Sequence, residues 1–181
     1  MKKVVLYSAM SLDGFIAGEN GDLSWLDEIP NPQLTDYGYQ DFNQTIDTTL
    51  MGHTTYKEIL GFDMPFPYQD KTNFVFGSKA DFTPNDFVTL VQTDARQRIT
   101  QLKQQTGKNI WLVGGGKLNA YCLAHDLIDE LILHVMPIVL GSGVKLFDGI
   151  ATNFPFQLIS STPYVNGVIE VCYHKKDKNE A

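Results

Sequence analysis

The sequence has few cysteines and no long apolar run, and both features narrow the class of protein. Among its 181 residues, Cys122 and Cys172 are the only cysteines. Two scattered cysteines are more often small buried hydrophobic residues than a disulfide or a metal pair. The longest apolar runs, such as VVLY after Lys3, are far too short to span a bilayer. The two N-terminal lysines are not followed by an apolar stretch of signal-peptide length. We therefore expect a cytoplasmic protein with no membrane partner.

Histidine is also sparse, and its spacing gives no metal signal. The four histidines are His53, His125, His134 and His174. They show no ligand spacing such as H-x-x-x-H, so we expect no protein-bound metal.

Positive charge is scarce in the first third of the chain. The net charge is −7, which argues against nucleic acid as a partner. No lysine or arginine occurs between Lys3 and Lys57. The same segment holds eight acidic residues: Asp13, Glu19, Asp22, Asp27, Glu28, Asp36, Asp41 and Asp47. We expect its ligand to present no strongly anionic group to this segment.

The composition that remains is that of a folded globular protein. The chain is 43% hydrophobic and 12% aromatic, with no signature of disorder. Its length is most economically one domain spanning residues 1–181. The charged end, from about residue 175 to 181, is predicted to be a frayed tail.

The order of the predicted elements indicates an α/β fold. Strand patterns alternate with helix patterns through about residue 127, and only strand patterns follow. This order predicts an α/β sandwich with a largely parallel sheet. An antiparallel β-hairpin around Asn166-Gly167 is expected to complete it.

The first helix is predicted from a capping signal. Asn31 is a plausible N-cap, and Pro32 would occupy the first helical position. On a helical wheel one face of this helix holds Leu34, Gly38, Asp41, Phe42 and Thr45.

Four predicted strands end in small, flexible or polar residues. These ends are Ser8-Ala9, Met51-Gly52-His53-Thr54, Gly77-Ser78-Lys79 and Gly114-Gly115-Gly116. In an open parallel sheet, ligands bind at the carboxyl ends of the strands. Two of the ends lead directly into helix N-termini, which suit phosphate groups. Each alone is typical of a plain turn, but together they favour a nucleotide. GGGKLN is not a G-x-G-x-x-G motif, and the chain has no P-loop, so neither a Rossmann nor a P-loop protein is indicated.

The motifs as a set resemble a known superfamily. SLDGFIAGENGDLSW, LMGHTTYKEI, FVFGSK and WLVGGGKLNAYCL, in this order and spacing, look like dihydrofolate reductases. SLDGFIAG and PIVLGSGVKLF are closer to the other branch, the stand-alone relatives of the reductase domain of riboflavin biosynthesis. The resemblance covers about Val4 to Tyr173. It implies a three-layer sandwich, with a mostly parallel central sheet, helices on both faces and an antiparallel C-terminal hairpin.

The resemblance also implies an NADPH site. Ala9, through its backbone, and Ile16 would flank the nicotinamide. The pyrophosphate and the adenosine ribose phosphate would be met by Gly52, His53, Thr54 and Thr55. Ser78 and Lys79 would hold the 2′-phosphate. The residues passing beneath the pyrophosphate would be Gly114, Gly115, Gly116, Lys117 and Leu118, with a cis bond between Gly114 and Gly115.

The sequence departs from both branches of the superfamily. His53, a weaker and pH-dependent cation, stands where arginine or lysine is usual. The folate enzymes carry a carboxylate on the first helix that helps to protonate the substrate. Counting back from Gly52 places it at Asp36, anchoring on Phe42 places Gly38 there, and Asp41 is a third option. Both aspartates also fit ordinary helix-surface charge.

Basic residues that grip a ribose phosphate in the riboflavin branch are missing from this helix. Lys71 and Lys145 are the nearest substitutes. His134 alternates with apolar neighbours, so we expect a hydrogen-bonded strand residue there rather than a proton donor.

Three functions follow as hypotheses. The first is an NADPH-dependent reductase of a small pterin-like or pyrimidine-like heterocycle. The second is the 5-amino-6-(5-phosphoribosylamino)uracil reductase of riboflavin biosynthesis. The third is a protein that binds NADPH without turnover. The resemblance further suggests a homodimer.

Overall fold

A computed structural model describes residues 1–80 and 82–176 of the chain. Its strands are β1 (Val4–Met10), β2 (Phe15–Ala17), β3 (Ile46–Gly52), β4 (Thr72–Phe76), β5 (Val88–Val91), β6 (Asn109–Gly114), β7 (Glu130–Val135), β8 (Val144–Lys145), β9 (Phe156–Pro163) and β10 (Ile169–Lys175). Its α-helices are α1 (Tyr39–Gln44), α2 (His53–Leu60), α3 (Ala95–Gln104) and α4 (Gly116–Ala124). Two short 3-10 turns, Glu19–Gly21 and Ser24–Leu26, follow β2.

Eight strands form one sheet in the order β5-β4-β3-β6-β1-β7-β10-β9. All neighbours from β5 to β7 are parallel, whereas β10 is antiparallel to both β7 and β9. The short strands β2 and β8 form a separate antiparallel pair. The predicted sheet, mostly parallel and completed by an antiparallel hairpin, is confirmed. Its parallel strands all end at the same edge, which is where the candidate site lies.

Helices cover both faces of the sheet, as predicted. Successive strand residues point to opposite faces, and the two faces of β3 show this. Leu50 packs in the cluster that holds Ile99 of α3 and Cys122 of α4, whereas Met51 packs with Tyr56 of α2. In another cluster, Phe42 of α1 packs against Val5 of β1 and Trp111 of β6. Because the central strands are buried on both faces, their sequences read as nearly continuous apolar runs.

The predicted start of the first helix is wrong. Asn31 and Pro32 lie in a loop, and α1 begins only at Tyr39. The Asn31 side chain accepts from the Thr35 amide and donates to the Thr35 carbonyl, so it closes a turn instead of capping a helix. Leu34 has a positive φ of 50° and is 88% exposed, so it lies on no helix face.

Other local predictions are confirmed. The Asp94 carboxylate caps α3 by accepting from the amides of Arg96 and Gln97. The hairpin turn lies at Asn166-Gly167, where Gly167 has a φ of 87°. The predicted tail falls mostly on residues 177–181, which lie outside the described residues. Within residues 1–80 and 82–176, no helix combines the length and apolar character needed to cross a bilayer.

Candidate functional site

A cleft of about 890 Å³ opens at the carboxyl edge of the sheet. It is lined by the first turns of α2 and α4, by the β2–β8 pair and by the ends of β1, β4 and β6. The residues of the predicted cofactor site that line it are Ile16, Gly52, His53, Thr54, Thr55, Gly115, Gly116, Lys117 and Leu118. Residues from three separate sequence motifs therefore meet in one cleft.

Two helices begin at this cleft with glycine at the preceding position. Gly52 precedes α2 and Gly115 precedes α4, and neither has a side chain to cap the free N–H groups of the first turn. These donors and the partial positive charge of each helix start suit an anion. The peptide bond between Gly114 and Gly115 is cis, as predicted.

The glycines also allow a close approach of neighbouring segments. A Cβ atom on Gly52 would lie 3.7 Å from the Gly114 carbonyl oxygen, so the starts of the two helices are adjacent. A Cβ atom on Gly116 would collide with the Lys145 carbonyl oxygen of β8. Glycine at position 116 is therefore required by packing.

The ends of β3 and β4 come together, as the 2′-phosphate prediction requires. The two strands are parallel, and Gly52 pairs with Phe76. The side chain of His53 packs against Gly77, where an added Cβ would lie 2.8 Å from the Cβ of His53. Ser78 and Lys79 follow directly and are exposed. They lie beside the cleft and not among its lining residues.

Asp13 joins the two loops that border the cleft. Its carboxylate accepts from the Ser11 hydroxyl and from the amides of Leu140 and Gly141, at 2.6, 3.1 and 2.7 Å. The Ser11 bond and the two amides lower the pKa of Asp13 to about 2. Asp13 therefore stays ionised and holds the loop after β1 against the loop that leads to β8.

A second pocket of about 580 Å³ lies at the same sheet edge. Its lining comes from β1, the end of β7 and the loop before α1, and it includes Tyr7, Ala9, Leu26, Asp27, Ile29, Pro30, Asn31, Asp36, Tyr37, Tyr39, His134 and Met136. Ala9, predicted as a cofactor contact, lines this pocket, while the adjacent Ser8 lines the cleft. The two cavities therefore share the end of β1.

The register of β1 explains why the cavities meet there. Its pairing with β6 ends at Leu6 and Leu112, whereas its pairing with β7 continues to Met10. Beyond Leu6, the Tyr7 carbonyl accepts from the Trp111 indole at 3.2 Å. The β1–β6 ladder thus stops before the end of either strand.

His134 is buried in the wall of the second pocket. Its Nε2 lies 3.0 Å from the Tyr37 carbonyl oxygen and 3.1 Å from Glu170 Oε2. Both partners are acceptors, so Nε2 must carry a proton. Burial lowers the pKa of His134, and the Glu170 carboxylate opposes this effect. The predicted hydrogen-bonded strand residue is confirmed, and it also lines a pocket.

Tyr7 lies beside His134, with the ring centroids 5.0 Å apart. Its hydroxyl donates to the Tyr37 carbonyl at 3.4 Å. Burial first, and then the Glu170 carboxylate, raise the pKa of Tyr7. Its hydroxyl therefore remains a proton-bearing donor in the pocket.

The two candidate acids lie in different places. Asp36 lines the second pocket, and its carboxylate accepts from the amides of Gly38 and Gln40, which holds it at the start of α1. Asp41 is exposed on α1 and does not line the pocket. Of the two, only Asp36 is placed where a ligand of this pocket would reach it.

The two candidate cations do not face the second pocket. The Lys71 ammonium is buried and lies 3.3 and 3.4 Å from the carbonyls of Asn43 and Ile46, so it satisfies the end of α1. Lys145 lines the cleft instead. No lysine or arginine occurs among the described residues that line the second pocket.

Sequence reasoning missed Tyr7, Tyr37 and Glu170. Tyr7 reads as an ordinary strand residue, and Glu170 meets His134 only because β10 pairs with β7. The alternation of β1 could have indicated that Tyr7 and Ala9 share a face. Nothing local could have indicated the position of Glu170.

Comparison with solved structures identifies the class of fold. A crystal structure of a candidate riboflavin biosynthesis protein from Shewanella sp. PV-4 has a TM-score of 0.86 and 31% identity, and the match covers 97% of this chain and 99% of that one. Dihydrofolate reductase from Enterococcus faecalis, complexed with NADP(H) and RAB-propyl, has a TM-score of 0.71 and 18% identity, with 97% of each chain covered. The fold is that of dihydrofolate reductase.

Comparison of sequences identifies the family. YwjB of Bacillus subtilis (strain 168), described as uncharacterized, is 43% identical over 157 residues, which are 87% of this chain and 89% of YwjB. The RibD C-terminal domain family matches residues 2–169. The chain belongs to the RibD C-terminal domain family, as the resemblance implied.

Proposed function

We propose that this protein is a single-domain, NADPH-dependent reductase of a small heterocycle that is pterin-like or pyrimidine-like and carries no strong negative charge. The observation that carries the proposal is the meeting of two cavities at the end of β1, one suited to a dinucleotide and one to a small ring. Membership of the RibD C-terminal domain family supports a reductase.

The larger cleft fits NADPH. The starts of α2 and α4 would hold the pyrophosphate through their free N–H groups. Gly52 and Gly115 leave room for it, and Lys117 adds a positive charge. Ala9 and Ile16 would flank the nicotinamide. Lys79 and Ser78, beside His53, would hold the 2′-phosphate.

The smaller pocket favours a neutral, hydrogen-bonding substrate. Tyr7, Tyr37 and Tyr39 supply aromatic surface, and Asp27 and Asp36 supply negative charge. Carboxylates attract ring N–H and amino groups and repel phosphate. The pocket is thus unsuited to a phosphoribosyl group, which argues against the 5-amino-6-(5-phosphoribosylamino)uracil reductase.

The residues of the pocket would align the substrate and supply its proton. NADPH, when bound, supplies the hydride. The tyrosine rings would hold the heterocycle in place and exclude water. Asp36, at the pocket wall, is the candidate for delivering a proton from solvent. Tyr7 and His134, whose Oη and Nε2 protons are directed at the Tyr37 carbonyl and at Glu170, would form the opposite wall of the pocket.

Turnover with a substrate panel tests the proposal. NADPH oxidation is measured in the presence of each member of a series of pterins and pyrimidinones. The series includes dihydrofolate and the phosphoribosylamino-pyrimidine. We expect oxidation with at least one uncharged ring at an ordinary enzymatic rate, about 1–1000 per second, and poor activity with dihydrofolate. Oxidation confined to the phosphoribosylamino-pyrimidine would favour the riboflavin enzyme.

Binding measured separately distinguishes a third function. Trp111 and Trp25 fluorescence reports NADPH binding without turnover. Binding with no oxidation across a broad panel would favour a protein that only binds NADPH. With an active substrate, Asp36→Asn and Asp41→Asn form a matched pair. We expect the first to lower kcat and the second to leave it unchanged.

A further inference from the structure

A cluster of three potential metal ligands lies between β7 and β10, away from both cavities. Glu130 begins β7, and Cys172 and His174 belong to β10. His174 pairs directly with Glu130 across the two strands. Residues two apart on a strand share a face, so all three side chains point to the same side of the sheet.

The two distances that join the Glu130 carboxylate to the other ligand atoms are close to those around a small metal ion. Cys172 Sγ lies 3.5 Å from Glu130 Oε1, and His174 Nε2 lies 3.5 Å from Glu130 Oε2. The three ligand atoms all lie within 4.8 Å of one another. Zinc bonds of about 2.0–2.3 Å in a tetrahedron separate neighbouring ligand atoms by roughly 3.3–3.6 Å. The sheet therefore holds Glu130 near this spacing from both Cys172 and His174 before any ion is bound.

We propose that Glu130, Cys172 and His174 bind one Zn²⁺ ion per chain, with the fourth position open to water. A thiolate, an imidazole and a carboxylate are a ligand set that zinc accepts. The spacing of histidines along the sequence gave no such signal, because the ligands come from two strands that pair only in the fold.

Two interactions compete with the metal. The Cys172 thiol donates to Glu130, and burial together with the nearby carboxylate raises the pKa of that thiol to about 11. The ion must therefore displace the thiol proton, as is usual for cysteine sites. The Lys3 ammonium lies 3.7 Å from Glu130 Oε2 and would repel a cation.

The experiment uses the full chain stripped of metal with a chelator, and Co²⁺ as a spectroscopic probe. We expect one Co²⁺ per chain, with a thiolate-to-cobalt absorption band in the near ultraviolet that Zn²⁺ abolishes by competition. Cys172→Ser should remove the band. His174→Gln should weaken binding by at least about tenfold, since even outer-shell changes cost 10–100-fold. Lys3→Ala should strengthen binding, because it removes a competing cation.

The controls separate this site from other thiols and histidines. His125→Gln should bind Co²⁺ as the wild type does, and Cys122 is kept in every variant. His174 is 40% exposed, so His174→Gln tests the site even if Cys172→Ser does not fold. Zn²⁺ should raise the Tm of the wild type and not of His174→Gln, because only an ion bound to the native state stabilises it. No cobalt–thiolate band in the wild type, or equal affinity in His174→Gln, would overturn the proposal.

Discussion

Gly115 and Gly116 are adjacent, but a side chain at each would meet different surroundings. An added Cβ on Gly115 would lie 3.2 Å from Thr55 Oγ1, the end of a small side chain in the cleft. On Gly116 it would meet the backbone of β8. Gly115→Ala should therefore weaken NADPH binding at least about tenfold, or 1.4 kcal/mol, with little loss of stability. Gly116→Ala should lower stability by about 1–3 kcal/mol.

Fluorescence titration with NADPH and thermal unfolding measure the two effects of this pair. If Gly115→Ala lowered Tm as much as Gly116→Ala while NADPH affinity stayed normal, position 115 would be structural only.

His134 should make stability depend on pH. Its pKa is lower in the folded protein than the ordinary histidine value of about 6.5, because burial outweighs the attraction of Glu170. Folding therefore favours the neutral form. This contribution is fully present above about pH 6.5 and is lost as pH falls below that value. His134→Gln, whose amide can still donate to the Tyr37 carbonyl, should flatten the loss of stability between pH 7 and pH 5.

Urea unfolding at several pH values measures this slope. The other groups that face His134 are Glu170, Tyr7 and Tyr37, and all three are kept. His125→Gln is the control and should keep the wild-type slope. An unchanged slope in His134→Gln would assign the pH dependence to another group.

At the scale of elements, Asp13 should matter for the proposed binding of NADPH in the larger cleft. Its carboxylate accepts from Leu140 and Gly141 and so sets the distance between the two loops that carry β2 and β8. Asp13→Asn replaces one acceptor by a donor, which would face a backbone N–H. We expect weaker NADPH binding by several-fold. Asp22→Asn is the matched control, because the Asp22 carboxylate accepts from the amide and hydroxyl of Ser24 in the same segment, and it should bind as the wild type does.

The ends of β3 and β4 should set the preference for NADPH over NADH. A hydrogen bond to a charged group contributes roughly 1.5–3 kcal/mol, which is about tenfold or more in affinity. Lys79→Ala should reduce the difference in affinity between NADPH and NADH, because it weakens NADPH binding and leaves NADH affinity nearly unchanged. Lys57→Ala, an exposed lysine of α2 that does not line the cleft, should leave this difference as it is. Equal affinities for NADPH and NADH in the wild type would mean that the 2′-phosphate site is misplaced.

Elements with strong local signals were predictable, and the first helix was not. Asp94 with Gln97 predicted the start of α3, and Asn166-Gly167 predicted the hairpin turn. Both signals are local, because these residues determine the conformation of the backbone next to them in sequence. Asn31 also acts locally, but its side chain has two ways to bond to the backbone, as a helix cap or as a turn. In the fold Asn31 closes a turn, and the loop that holds it is bound to the hairpin, where Asn166 donates to the Pro30 carbonyl at 2.8 Å.

At the scale of the whole molecule, the C-terminal hairpin should mediate a homodimer. Leu158, Ile159 and Ile169 are 51%, 49% and 42% exposed, and homodimer interfaces are rich in apolar surface. Sedimentation analysis should show a dimer for the wild type and a monomer for the double variant Leu158→Asp, Ile159→Asp. Leu34→Asp, which changes an exposed leucine in the loop before α1, should remain dimeric. A monomeric wild type would refute this assembly.

The overall architecture and a cleft at the carboxyl ends of the strands were predictable from sequence, whereas the second pocket was not. The cleft is made of strand ends and helix starts, whose glycines are visible as motifs. The pocket depends on Tyr7, His134 and Glu170, which lie on three different strands. In the sequence, each of them looks like an ordinary strand residue. Their meeting follows from strand order and register, and no short-range pattern encodes either.

The strand order also has a consequence during synthesis. β6 lies between β1 and β3, yet it leaves the ribosome after both. At about 5–20 residues per second, translation from the end of β3 to the end of β6 takes roughly 3 to 12 s. Throughout that time β1 and β3, which are apolar, each lack their β6 partner. The nascent chain is therefore most open to aggregation, and to binding by chaperones, just before Gly114 emerges.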